Sequence, residues 1–259
     1  MSKQVNLNAD MGESFGAYSI GNDAAMLDLV GSANIACGYH AGDPLVMGKT
    51  IQLAAERSVS IGAHPSFPDL QGFGRRKMTL PLDELEAMVV YQIGAIVAVA
   101  KSKDATVTHV KPHGALNNMA CEDMAMASAI ANAVKSIDAS LILLAPAASC
   151  LYKAGVEAGL PTAGEVFADR TYQEDGNLTP RSQPGAVIHD ANQSADQILS
   201  FLEAGKILTP SGAGIEAEIH SICVHGDNEQ ALAIAKGVKD CLVSKGYSLA
   251  TLPEMSFDT

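Results

Sequence analysis

The chain contains no tryptophan, and tyrosine and phenylalanine supply only six residues each among 259. With 47% of the residues apolar, the core must be assembled from Ala, Val, Ile, Leu and Met. That mixture suits helices packed closely on a buried parallel sheet. A basic excess is lacking too: 17 Lys and Arg stand against 29 Asp and Glu, a formal charge of −12. Nucleic-acid binding needs a basic surface to neutralise phosphates, so that class is excluded. The acidity reads as a solubilising surface, since no block of like charge is long enough for a disordered tail. No segment reaches the roughly 18 apolar residues of a membrane span. The opening Met1-Ser2-Lys3-Gln4-Val5-Asn6 lacks the apolar stretch of a signal peptide. Cys37, Cys121, Cys150, Cys223 and Cys241 are odd in number and scattered, with no CxxC pair and no disulfide framework. The expectation is a cytoplasmic protein with reduced thiols that binds neither nucleic acid nor membrane.

What is present is alternation. Short apolar runs at 5–8, 33–36, 60–63, 107–110, 141–144, 162–166 and 221–224 read as buried strands. Between and after them, 23–30, 45–57, 82–101, 123–136, 149–158, 192–202 and 228–245 have the length and 3.6-residue apolar spacing of helices. Asp43 before Pro44 is a plausible helix start. Strand and helix repeated about seven times predict an α/β fold with a parallel sheet, and a seven-stranded (β/α) barrel fits better than a doubly wound sheet. The stretches 182–188 and 208–214 read as loops. No linker divides the chain, so 1–259 is expected to form a single catalytic domain.

The polar clusters follow the predicted strands. Asn8, Asp10 and Glu13 end the first; His40 and Asp43 follow the second; His64 ends the third. Lys111 and His113 follow the fourth, Asp169 and Arg170 the sixth, His225 and Asp227 the last. In parallel α/β folds the carboxyl ends of the strands share one rim, where active sites lie, so this placement indicates an enzyme. Asp10 with His40 and His64 suits a divalent metal, but the spacing equally allows a carboxylate orienting an imidazole without metal. Singly, each has a plainer reading, as a turn-capping Asx or a core histidine. Lys111 could clamp an anion, act as a base, or pair with Asp10 or Asp43. Arg75 and Arg76, after Gln71-Gly72-Phe73-Gly74, suit a loop over an anionic ligand or a solvated pair.

Two near-motifs fail. Gly42 to Lys49 resembles a phosphate-binding P-loop, but its glycines are one residue too far apart and the stretch reads as helix. Gly12-Glu13-Ser14-Phe15-Gly16 is not a nucleophile elbow.

Asn8-Ala9-Asp10-Met11-Gly12-Glu13, Ala33 through Asp43, Gly62-Ala63-His64-Pro65 and Gly72 through Arg76 together resemble the LamB/YcsF lactam-utilisation family. So do His109 through Gly114, Phe167-Ala168-Asp169-Arg170 and Cys223 through Asp227, in the same order from about residue 5 to residue 245. This family is that of the A component of bacterial 5-oxoprolinase. The resemblance implies a barrel related to metal-dependent deacetylases and the glycoside hydrolase/deacetylase superfamily. It further implies cleavage of 5-oxo-L-proline to L-glutamate, with ATP as co-substrate, in a complex with two other subunits, B and C. One departure is Asn117, where the family pattern leads one to expect tyrosine. The expected catalytic set is Asp10, His40, His64, Lys111 and His113, with Asp10, His40 and His64 as candidate metal ligands. Asn8, Glu13, Asp43, Arg75, Asp169, Arg170, His225 and Asp227 are expected to bind substrate or phosphate. Two other readings use the same residues: an ATP-independent metal-dependent amide or carbohydrate deacetylase, and a non-catalytic lactam-binding subunit.

Overall fold

The computed structural model describes residues 3–225 and 229–257. Its elements are β1 (Gln4–Met11), α1 (Asp23–Leu27), β2 (Ser32–Ala36), α2 (Pro44–Glu56), β3 (Ser60–His64), α3 (Leu82–Lys101) and β4 (Val107–Val110). There follow α4 (Gly114–Glu122), α5 (Met124–Ile137), β5 (Ile142–Pro146), α6 (Cys150–Glu157) and β6 (Thr162–Phe167). The chain continues through α7 (Ala191–Ala204), β7 (Lys206–Leu208), β8 (Gly214–Glu216), β9 (Ser221–Cys223), α8 (Glu229–Ser244) and β10 (Ser248–Leu249). A 3-10 turn at Leu252–Glu254 comes last.

Strands β1 to β6 pair in order, all parallel, and β9 joins β6 to β1, closing a seven-stranded barrel. The expected barrel is therefore the observed one, and its strands lie within two or three residues of the sequence reading at each end. Strand β10 pairs in parallel with the start of β1, Gln4 opposite Ser248. Three features depart from expectation. Helix α4 was hidden because it opens on Gly114, with two asparagines inside it, all poor helix formers. The expected loop 208–214 is the turn of an antiparallel β7–β8 hairpin. The expected loop 182–188 is stitched to the chain before it by an Arg170–Val187 bridge.

The apolar layer lies between the strands and the outer helices: Met47, Ile51 and Ala54 of α2, and Leu85, Val89, Ile93 and Ile96 of α3, are buried in it. Helix α2 starts where it does because the Asp43 carboxylate accepts from the backbone N–H groups of Leu45 and Val46 at 2.8 and 2.9 Å.

Inside the barrel the chemistry changes. Side chains alternate across a strand, so Asn6, Asn8 and Asp10 of β1 share one face. Asn6 donates to Ser32 and accepts from Ser221, Asn8 donates to Ser221, and Asn34 donates to Asn8, at 2.6 to 2.9 Å. These buried amides and hydroxyls satisfy one another, which offsets their desolvation. A small apolar cluster of Ile142, Leu144, Ala163 and Leu252 is separate from the main core.

The interior leaves little slack at β3. Gly62 lies against the ring of His109, and a Cβ there would fall on the imidazole. The His109 ring, fully buried, reaches Asn34 Oδ1 at 3.1 Å across that gap. Gly62→Ala is expected to lower stability by about 1–3 kcal/mol, the usual range for overpacking. Denaturant unfolding checks this; an unchanged midpoint would show that the ring has room to move.

Candidate active site

Asp10 stands on β1 at the rim. Its Oδ1 accepts from Asn34 at 2.9 Å and from the Lys111 ammonium at 3.0 Å, while Oδ2 lies 3.2 Å from His64 Nε2. Burial works to raise its pKa, but His64 and Lys111 override it and hold the carboxyl well below the usual range. Asp10 is thus a carboxylate at neutral pH.

Lys111 follows β4 and is 2% exposed. Its ammonium also meets Glu165 Oε1 at 2.8 Å, Asn8 Oδ1 at 3.1 Å and Cys223 Sγ at 3.2 Å, over the face of Phe167. Burial pulls its pKa down, but Asp10, Cys223 and Glu165 push it well above the ordinary lysine value. A permanently charged ammonium is suited to stabilising negative charge rather than to acting as a base. Of the two carboxylates weighed from sequence as its partner, Asp10 takes that place and Asp43 does not. Burial raises the pKa of Glu165, partly opposed by Lys111.

Three imidazoles sit beside this pair. His113, at the N-cap of α4, lies flat against His40, ring centroids 3.8 Å apart and planes 7° apart. His64 meets His113 edge-on, with Nε2 and Nδ1 3.0 Å apart. Burial first, then the neighbouring histidines, lower the pKa of His40 and of His113 well below the ordinary value, so both are neutral. Glu13 Oε1 is 3.3 Å from His40 Nε2, and burial with the nearby Asp10 charge raises the Glu13 pKa. Among the described residues, Glu13, His40, His64 and His113 bring ligand atoms within 4.8 Å of one another, as do Asp10, Cys223 and His225. Nitrogen and carboxylate donors of this kind fit a borderline divalent ion.

A cavity of about 720 Å³ opens above these groups. Asp10, Glu13, His64, Arg75, Lys111, His113, Arg170 and His225 all line it. Four expected residues do not. Asn8 lies beneath Lys111, and His40 backs His113. Asp169 pairs with His225 at 2.9 Å, overriding burial to raise the histidine's pKa. Asp43 spends one oxygen on the α2 cap and the other on the N–H of Gly16, at 2.8 Å. Asp227 falls outside the described residues.

The two arginines of the 70s loop divide. Arg76 is locked to Asp69, while Arg75 lines the cavity with its guanidinium near Phe73. Arg170 donates to the carbonyls of Thr179 and Ala186 at 2.6 and 3.3 Å, so it braces the 171–187 excursion as well as facing the cavity. Arg181 and Lys77 complete a cationic wall that sequence reasoning missed. Burial, then the nearby Arg181, lowers the Arg170 pKa. Like charges held this close in an acidic chain favour an anionic ligand. Asn117 also lines the cavity, its Oδ1 buried without a hydrogen-bond partner.

Residues 5–257 match the LamB/YcsF family. The chain belongs to that family. A relative from Azoarcus sp. (strain BH72), named as the A component of 5-oxoprolinase, is 52% identical over 252 residues, covering 97% of this chain and 98% of the relative. The crystal structure of a lactam utilization protein from Thermus thermophilus superimposes with a TM-score of 0.90 at 40% identity, covering 96% of this chain and 100% of that one. A deacetylase solved with its substrate shares the fold alone, at a TM-score of 0.51 and 14% identity over 99% of this chain and 94% of that one. Within the family, the barrel rim described above is the candidate site. Among the described residues, no helix is long and apolar enough to cross a membrane.

Proposed function

We propose that this LamB/YcsF chain is the A component of an ATP-hydrolysing 5-oxoprolinase, opening 5-oxo-L-proline to L-glutamate together with subunits B and C. The observation that carries the reading is the buried Lys111–Asp10 pair, 3.0 Å apart, on the floor of a cavity whose wall presents Arg75 and Arg170. The names of close relatives support the same substrate.

A five-membered lactam is a stable amide that water attacks poorly. Transfer of the γ-phosphoryl group of ATP to the amide oxygen leaves ADP and an activated ring carbon. Water then adds to that carbon, and the C–N bond breaks as nitrogen takes up a proton. The resulting acyl phosphate takes a second water and releases phosphate, leaving glutamate. In this scheme Asp10, with His64 beside it, activates the attacking water. Lys111 stabilises negative charge on the oxygen of the reacting carbon. Arg75 and Arg170 hold the ring carboxylate or the phosphoryl group. The cavity is larger than one small lactam needs, which leaves room for a phosphoryl group.

The test is a product count. The purified chain with its partner subunits, 5-oxoproline and ATP should yield glutamate and ADP in equal amounts, with neither formed when any one component is omitted. Glutamate without ADP would replace this reading with that of an ATP-independent hydrolase.

A further inference from the structure

The outer hydrogen bonds of His64 and His113 leave their facing nitrogens turned toward each other. His64 Nδ1 lies 2.6 Å from the carbonyl oxygen of Lys111, and His113 Nε2 lies 2.9 Å from that of Phe73. A carbonyl only accepts, so both of these nitrogens carry a hydrogen and donate it. In a neutral imidazole the other nitrogen then presents a lone pair. Those other nitrogens, His64 Nε2 and His113 Nδ1, stand 3.0 Å apart. Two further acceptors close around them: Asp10 Oδ2 is 3.2 Å from His64 Nε2, and Glu13 Oε1 is 3.9 Å from His113 Nδ1. His64 and His113 are both buried, so these four groups meet away from bulk water.

We infer that His64 Nε2 and His113 Nδ1 anchor a divalent-cation site completed by the carboxylates of Asp10 and Glu13. Two nitrogens each about 2.0–2.1 Å from one ion stand roughly 3 Å apart when they subtend about 90°. The backbone carbonyls of Lys111 and Phe73 fix each ring through its distal N–H, the usual support of a metal-ligating histidine. His40, expected from sequence as a ligand and within 4.8 Å of this group, falls outside the proposed set. Its ring is parallel to that of His113, 3.8 Å away, so the two rings' in-plane lone pairs cannot converge on one ion. His40 instead packs as a wall that holds His113. An ion here would polarise a bound water or a carbonyl. The inference concerns ion binding alone and does not depend on which amide the cavity accepts.

The experiment is a Co²⁺ titration of the chelator-stripped chain, read by visible ligand-field absorption and by the shift in melting temperature. One equivalent should bind and raise the melting temperature. His64→Asn and His113→Asn should each weaken binding by more than the roughly 10–100-fold that outer-shell partners control. His40→Phe should stay within about tenfold of wild type, on the same outer-shell scale. Circular dichroism confirms that each variant is folded. Folded wild-type chain that binds no Co²⁺ would overturn the site and leave the contact to a shared proton. Wild-type affinity in folded His113→Asn, or a loss in His40→Phe as large as in His113→Asn, would overturn the ligand assignment.

Discussion

Lys111→Met is expected to abolish ring opening and to lower folding stability by about 3–5 kcal/mol, the usual cost of removing one partner from a buried ion pair. The ammonium lies between two carboxylates, 3.0 Å from Asp10 and 2.8 Å from the fully buried Glu165. Without it, Glu165 must either hold an uncompensated charge in the interior or take up a proton. A second change separates stability from chemistry. Adding Glu165→Gln removes the orphaned charge and should restore much of the lost stability while leaving the enzyme inactive. Guanidinium unfolding midpoints and steady-state assays of the assembled complex measure the two effects. A singly substituted chain that is both as stable and as active as wild type would contradict the role given to Lys111.

The second large effect is expected at Asp10. Asparagine keeps the size of the side chain, and its carbonyl can still accept from Asn34 and Lys111 as Asp10 Oδ1 does, at 2.9 and 3.0 Å. Glu165 remains as a counter-charge to Lys111. Asp10→Asn should therefore fold normally while turnover falls by about 10²–10⁴-fold, the range ordinarily supplied by general acid–base catalysis. Circular dichroism and thermal unfolding check the fold, and glutamate formation checks the chemistry. Collapse of the fold would instead make Asp10 a structural residue.

The rim was legible because strand, turn and helix each leave a local signature, and because polar residues stand at or just beyond the ends of β1, β2, β3 and β4. Asp10, His64, Lys111 and His113 could thus be brought together from order along the chain alone. What supports them could not. Asn34 on β2 and His109 on β4 face into the barrel across the intervening β3, and their contact depends on the absence of a side chain at Gly62. Glu165 and Cys223 look like ordinary strand residues until barrel closure places them against Lys111. Asp43 reads equally as a ligand or a cap, and only the backbone shows its oxygens committed to Leu45, Val46 and Gly16. Arg181 and Lys77 belong to irregular segments, where no periodicity predicts which side chain turns toward the cavity.

Participation of this rim in ATP-coupled lactam opening is tested most directly by counting glutamate and ADP in one reaction, with complexes built from wild-type chain or from Asp10→Asn. Equal amounts of both products with wild type, and almost no glutamate with the variant, are the predicted results. Glutamate formed at the wild-type rate by the variant complex, or formed by wild type without ATP, would contradict it.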